Sequence, residues 1–459
     1  MNRYVISKIL NKREVIKIEE MDKEEVRCIG RQLQENIQPP LFLLPYESDQ
    51  VTTIINKLES WKSTLGDFMD NARGVEIGKD SPLILNEKQK GTVKFLLGEH
   101  VERYAIMGHK YLRLGKVGID YKNTSLYTPP KIIVRKTGDR INATLDNEGI
   151  WVIQVIYIFK KKSNIRIPSI EKYLLGILNS CIITFWYFKR FGQAKQKTFP
   201  HITQGNLLQT PIPTATPDQQ APIISLVDAI IQKKKGYHAI SQNIEDYIDF
   251  GKTNLIRLDE FFKGALDDFD FVSSLKAKHD NFDALKLRIE GDKATVEYRI
   301  RRKVEDYEEI EEDEQIEVRG KYVVEWHPAG EGKIKDGLAV EFLAKIIEKE
   351  KGFSKAKTKT MWQKIAEVKV PEFTIKVKEG FLKYKSTMEK AKKLDEKITR
   401  IDRAIDRLVY DLYGLTEDEI KVVEKSVWGE KFEEMYGKLP SRDSTLRLAE
   451  EVKNEAHKG

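Results

Sequence analysis

The chain has two cysteines in 459 residues, Cys28 and Cys181. Two thiols so far apart exclude a disulfide framework and a zinc site built on paired cysteines. No apolar run approaches the ~20 residues of a membrane-spanning helix. The longest, Cys181 to Phe188, has the length of a strand or a short buried helix. The N-terminus lacks a basic stretch followed by an apolar one, so no secretory leader is expected and the cytoplasm is the expected compartment. The seven histidines are scattered, and the nearest pair, His100 and His109, does not have metal-ligand spacing. There is no internal repeat and no low-complexity tract. The most informative scarcity is of acid. Between Gly149 and Pro217 stands one acidic residue, Glu171, where 72 acids spread over 459 residues would place about eleven. The same window holds nine bases: Lys160, Lys161, Lys162, Arg166, Lys172, Lys189, Arg190, Lys195 and Lys197. The whole chain carries a net charge of +7, so its positive excess sits in this window. A localised basic field suits a polyanionic partner.

With 40% hydrophobic and 33% charged residues, the composition is globular with a heavily charged surface, and the length suits two to four domains. Residues 1–26 read as short strands. Val51, Ile54, Ile55, Leu58 and Trp61 have helical spacing over 50–62. From about Leu65 to Pro217, short apolar runs alternate with glycine and proline turn signals, which predicts a β-rich domain with a helix over Ile170–Phe188. Pro211, Pro213 and Pro217 form a stiff connector. A helix is predicted over Asp218–Lys235, ending at Gly236 or continuing with a break to Phe262. An α+β insertion follows, with an acidic run from Glu305 to Glu314 that would repel phosphate. A second long helix, Lys376–Tyr413, is amphipathic and predicted to pack antiparallel to the first. Gly414 stops it, and Thr416 with Glu419 forms a capping box for the next helix. The expected boundaries are an N-terminal segment (1–62), a β-rich domain (63–216), a helical segment (217–268), an acidic insertion (269–371) and a helical C-terminal region (372–459). The fold class is α+β.

Candidate contacts follow from residue chemistry. Arg73, between Ala72 and Gly74, lies where backbone can approach a ligand, and arginine can read guanine O6 and N7 with two hydrogen bonds. A turn arginine in a surface salt bridge is the competing reading. Arg135 and Lys136 end a strand before the turn at Gly138, a place for phosphate contacts or simply a solvated strand end. Lys189, Arg190, Lys195, Lys197, His201, Thr203 and Gln204 form an acid-free stretch interleaved with Phe191 and Phe199. There the bases would hold phosphates, and His201, Thr203 or Gln204 would read base edges. Trp186 and Tyr187 read as core.

Four segments carry a family resemblance: Asn71–Asp80, which includes Arg73, Gly74 and Lys79; Tyr127–Gly138 with Ala143, Thr144 and Asp146; Leu174–Ser180 with Phe185–Tyr187, Lys197–Pro200 and Pro211–Pro213; and Ile405–Thr416. In this order they resemble the target-recognition, or specificity, region of type IIG restriction–modification enzymes and TaqI-like adenine methyltransferases. The likeness runs from about residue 65 to 425, leaves the insertion uncovered, and makes residues 1–45 only loosely similar to the end of a methylase domain. It implies a β-rich recognition domain on double-stranded DNA, Lys79 among the contacts, and helices that dock a methyltransferase (modification) subunit.

The methylase chemistry itself is missing. An adenine methyltransferase needs a glycine-rich turn for S-adenosylmethionine and an Asn/Asp/Ser-Pro-Pro-aromatic tetrad to hold a flipped base. Gln38-Pro39-Pro40-Leu41 and Thr128-Pro129-Pro130-Lys131 are the nearest approaches, and both lack the aromatic. Glu367-Val368-Lys369 and Glu451-Val452-Lys453 match half of a magnesium-nuclease signature, at a frequency expected by chance. The sequence therefore predicts a non-enzymatic specificity subunit with no catalytic residue, cofactor or metal of its own. S-adenosylmethionine, and magnesium if a nuclease takes part, would sit on the partner. A homodimer stays open, because one recognition half is present. The alternatives are a cryptic metal-dependent nuclease and a pure interaction protein.

Overall fold

The computed structural model describes residues 49–191, 201–303, 316–319, 322–351 and 353–458. The strands expected over 1–26, the segment Gln38–Leu41 and the acidic run Glu305–Glu314 lie outside these residues. The chain forms two compact units, one built from Met1–Ala239 with Lys393–Gly459 and the other from Ile240–Lys392.

In the first unit, α1 (Asp49–Glu59) buries Val51, Ile54, Ile55 and Leu58 as its spacing predicts. The short α2 (Leu65–Phe68) follows, with Asp67 accepting from the Thr64 N–H (2.7 Å). Ten strands come next: β1 (Met69–Arg73), β2 (Ile84–Leu85), β3 (Thr92–Leu96), β4 (Val101–Glu102), β5 (Ala105–Ile106), β6 (Lys110–Arg113), β7 (Lys131–Arg135), β8 (Ala143–Asp146), β9 (Trp151–Val152) and β10 (Ile156–Lys161). The main sheet has the order β1-β10-β7-β8 and is antiparallel throughout. A second sheet, β2-β6-β3-β9, closes with the parallel pair β3–β9, and β4 pairs with β5.

The main sheet is covered on both faces, which explains why β7 and β10 are apolar at successive positions rather than alternating. Met69, Ile132, Val134, Tyr157 and Phe159 belong to a core shared with the helices. Ile133, Ile156 and Ile158 face a separate core with Phe95, Leu96, Leu112 and Val152 of the second sheet. Side chains of successive strand residues point to opposite faces, so both registers must be apolar. The exception is Lys131, fully buried and ion-paired with its cross-strand partner Asp146. Burial lowers the Lys131 pKa and Asp146 opposes the shift. Asp146 also accepts from the N–H groups of Glu148 (2.8 Å), Gly149 (3.1 Å) and Ile150 (2.8 Å), which fixes the turn into β9.

The single helix expected over Ile170–Phe188 is two: α3 (Ile170–Asn179) and α4 (Cys181–Phe191). Ser180 is extended between them (φ −69°, ψ 153°). The break has a polar cause. The Asn179 side chain pairs with both backbone groups of Ala143 (3.0 and 2.9 Å), and the Cys181 N–H donates to Asp406 (2.7 Å). A continuous helix would have consumed that N–H. The short α5 (Gln204–Leu207) and then α6 (Pro217–His238) follow, the latter capped by Thr216 and Gln219. α6 runs through Gly236 and ends at His238, well short of Phe262.

The second unit is wider than the expected insertion on both sides. It holds β11 (Leu255–Arg257), α7 (Leu258–Ala265), β12 (Leu266–Phe271), β13 (Ala284–Glu290), β14 (Lys293–Lys303), β15 (Ile316–Arg319), β16 (Tyr322–Ile334), α8 (Gly337–Ile347), α9 (Met361–Ala366) and β17 (Lys369–Pro371). Its five-stranded antiparallel sheet has the order β12-β16-β14-β13, with β15 on β16. Leu285, Val296 and Tyr298 of that sheet bury against Leu258, Phe262, Phe342, Leu343 and Ile365 of α7, α8 and α9.

The long helix α10 (Ile375–Leu412) passes from the second unit into the first. α11 (Glu417–Trp428), α12 (Phe432–Tyr436) and α13 (Arg442–Lys458) complete the chain. Thr416 and Glu419 cap α11 as expected. Within the first unit, the last part of α10 lies antiparallel to α6. A Cβ on Gly176 of α3 would lie 2.7 Å from Ile223 and 3.2 Å from Val227 of α6, and 3.6 Å from Ile405 of α10, while Gly236 faces Leu394. α6 also packs on α13, with Lys233 paired to Glu455 (3.3 Å).

Candidate nucleic-acid interface

One end of the main sheet collects most of the described candidate residues. Arg73 is the last residue of β1 and lies opposite Tyr157 near the start of β10. Arg135 is the last residue of β7 and lies opposite Ile156. Arg73 and Arg135 are therefore two strand spacings apart, about 10 Å, at nearly the same level but on opposite faces of the sheet, because their partners Tyr157 and Ile156 are successive residues of β10. The chain beyond β7 then forms a further pairing: Thr137 bridges His201, and the Ile202 N–H donates to the Lys136 carbonyl (2.8 Å). Thr203 and Gln204 follow directly and enter α5. The rim so formed carries Arg73, Arg135, Lys136, His201, Thr203 and Gln204.

Arg73, His201 and Thr203 are exposed, while Arg135, Lys136 and Gln204 are half-buried. Among the described residues, no carboxylate lies within ion-pair distance of Arg73, Arg135 or Lys136, so none of the three has an acidic partner there. The Thr203 oxygen accepts from the Asn206 N–H at the start of α5 (3.4 Å), which leaves its O–H free to donate. Gln204 has a buried Oε1 with no hydrogen-bond partner. Lys79 lies in an exposed turn closed by Ser81 N–H to Gly78 O (3.1 Å), farther along the chain from the rim. Lys195 and Lys197 lie outside the described residues, between Phe191 and His201.

The basic window is less available than its sequence implies. Lys160 donates to the carbonyls of Ser125 (2.9 Å) and Thr128 (3.1 Å). Lys161 pairs with Glu171 (3.5 Å), Lys162 donates to the Gly66 carbonyl, and Lys172 pairs with Asp228 (2.7 Å). Lys160, Lys161 and Lys162 stand at or just past the end of β10 opposite to the rim. Arg190 is mostly buried and pairs with Glu59 (3.0 Å). Lys189 lies over the Phe185 ring (5.9 Å). Trp186 and Tyr187, 1% exposed each, are core residues. Gly74 also has a structural reason: a Cβ there would fall 2.1 Å from the Val152 carbonyl. The close approach is to the end of β9 and the residue after it, Ile153.

Sequence reading missed a buried polar network that joins the sheet to the C-terminal helices. Cys181, Asp406 and Glu424 bring ligand-type atoms within 4.8 Å of one another. Two guanidiniums fill the same space. Arg403 pairs with Asp406 (2.6 Å) and Glu424 (2.6 Å), and Arg140 donates to the Cys181 sulfur (3.1 Å) while lying over Trp428 (4.4 Å). Tyr410 donates to Glu424. Two arginines balance two carboxylates, so the cluster is charge-compensated without a cation. The signal was present in the fourth segment and just before it, where Arg403, Asp406 and Tyr410 fall at i, i+3 and i+7 on one helix face. His100 accepts from the Leu97 N–H (3.0 Å) and His109 contacts Tyr111 (3.1 Å), each with its own partner. Glu367 is ion-paired with Lys359.

Residues 93–212 match the model of the TaqI-like C-terminal specificity domain. This part of the chain is similar to a TaqI-like specificity domain. The match spans Arg135, Lys136 and the stretch from Lys189 to Gln204, and leaves Arg73 and Lys79 outside. Among solved structures, the type I restriction-modification system S subunit from M. genitalium aligns with 76% of this chain and 94% of that one, at 14% identity and a TM-score of 0.36. No curated protein matches the chain. No helix among the described residues is long and apolar enough to cross a membrane.

Proposed function

We propose that this chain recognises a target sequence in double-stranded DNA for a restriction–modification system, through the rim of the specificity domain. The observation that carries the reading is the placement at one sheet end, on its two faces, of three cationic side chains without a carboxylate partner, beside His201, Thr203 and Gln204 and largely inside the segment that matches a specificity domain. Arg135 and Lys136 supply phosphate contacts, which set affinity and register but carry no sequence information. Arg73, His201, Thr203 and Gln204 supply donors and acceptors for base edges. With the methylase tetrad absent from the sequence, S-adenosylmethionine and the adenine chemistry belong to a separate modification subunit, and magnesium to any nuclease that joins it. Docking of that subunit falls to the helices of the C-terminal region.

Selection from a random-sequence duplex pool with the purified full chain tests the reading. Enrichment of one motif, bound at least about a thousandfold tighter than scrambled duplex, is the expected result. Equal retention of all sequences, or none retained at low salt, would overturn it.

A further inference from the structure

Ile202 and Thr203 share one peptide group, and both of its polar atoms are held by buried tyrosine hydroxyls. The Tyr157 hydroxyl donates to the Ile202 carbonyl (3.0 Å), and the Thr203 N–H donates to the Tyr187 hydroxyl (2.8 Å). The two rings come from different elements, β10 and α4, and are 2% and 1% exposed. Ile202 is itself fully buried, and its N–H is bound to Lys136. The peptide is thus fixed in position and in rotation, while the residues on either side, His201 and Thr203, are exposed at the rim.

A phenylalanine at either position would fill nearly the same volume without burying a hydroxyl. Burying one is favourable only when a partner waits for it. Here the partners are the two edges of a single peptide next to the candidate base-reading side chains. Phosphate contacts by long lysine and arginine side chains tolerate small movements of the backbone. Hydrogen bonds to base edges do not, because their geometry is set within fractions of an ångström.

Resting on the DNA-recognition reading above, we propose that Tyr157 and Tyr187 are positioning residues for sequence discrimination, which orient the His201–Gln204 segment against the bases without touching DNA themselves. The test uses the full chain with the duplex it selects from a random pool and a scrambled duplex. The comparison runs across wild type, Y157F, Y187F and Y173F. Tyr173 is the control, since its buried hydroxyl donates to the Pro213 carbonyl (3.0 Å), away from the rim. Y157F and Y187F should lower the ratio of selected to scrambled affinity by about tenfold, leave the salt dependence of scrambled-duplex binding unchanged, and spare the fold. Y173F should leave the ratio intact. Amide exchange reads the clamp without DNA: the Thr203 N–H should be protected in wild type and fast in Y187F. A wild type that selects no sequence would overturn the recognition reading and this inference with it. A selective wild type whose ratio survives both rim substitutions within twofold would overturn the inference alone. So would an equal loss in Y173F, or fast Thr203 exchange in wild type.

Discussion

Arg190 and Trp186 donate to the same acid: the Arg190 Nε lies 3.0 Å and the Trp186 Nε1 3.2 Å from one carboxylate oxygen of Glu59. The arrangement ties α4 to α1 and turns Arg190 away from solvent. R190A should therefore weaken folding by about 1 kcal/mol, as loss of a part-buried charged hydrogen bond does, and leave DNA affinity within twofold. Thermal melting beside a binding titration checks both halves, and a large affinity loss with an unchanged melting temperature would return Arg190 to the interface.

Lys160, Lys161, Lys162 and Lys172 make the complementary case. Their charges go to Ser125, Thr128, Glu171, Gly66 and Asp228 rather than outward from the rim. Replacing all four with methionine removes four positive charges yet should leave the slope of log affinity against log salt unchanged. A slope that falls by several units, as the loss of phosphate contacts requires, would move the interface to the far end of the sheet.

Two glycines report on packing. A methyl at Gly176 would overlap Ile223 where α3, α6 and α10 meet, so G176A should destabilise by about 1–3 kcal/mol. At Gly74 the obstacle is the Val152 carbonyl, a backbone atom that a rotamer change cannot relieve. G74A should cost more than G176A, and chemical denaturation of the two variants tests that order.

Cys181 is fully buried, and burial pushes its thiol well above the ordinary thiol range. The thiolate is the reactive form, so in a C28S background a thiol reagent at pH 8 should label nothing in the folded protein and one site after unfolding. Rapid labelling of the native state would show the Arg140–Arg403–Asp406–Glu424 network to be open.

Much of this architecture was legible in the sequence. Helix ends at Gly414 and Thr416, the amphipathic stretch over Lys376–Tyr413 (observed as Ile375–Leu412) and the β-rich region follow from local patterns, and those patterns are what local propensity encodes. The break at Ser180 was not legible, because its cause, Asp406, lies far away in sequence. The same distance hid the fate of the basic window: lysines counted as a field are partly consumed by carbonyls and acids that only the fold brings near. Arg73 read as an arginine beside a turn and Arg135 as a strand end, with nothing local to join them. Their shared level depends on the register of β10 between them, which no short-range pattern specifies. The role of Arg140 was hidden by its place in a turn, where an arginine ordinarily faces solvent.

The most direct measurement is the salt dependence of duplex binding by the variant R73A/R135A/K136A against wild type, with folding checked by melting temperature. These three side chains meet no carboxylate within the described fold, so their removal should cost little stability. The account predicts weaker binding at every salt concentration and a slope reduced by about one for each phosphate contact removed. A variant that folds as wild type and binds with the same affinity and slope would contradict the assignment of this rim as the DNA-recognition surface.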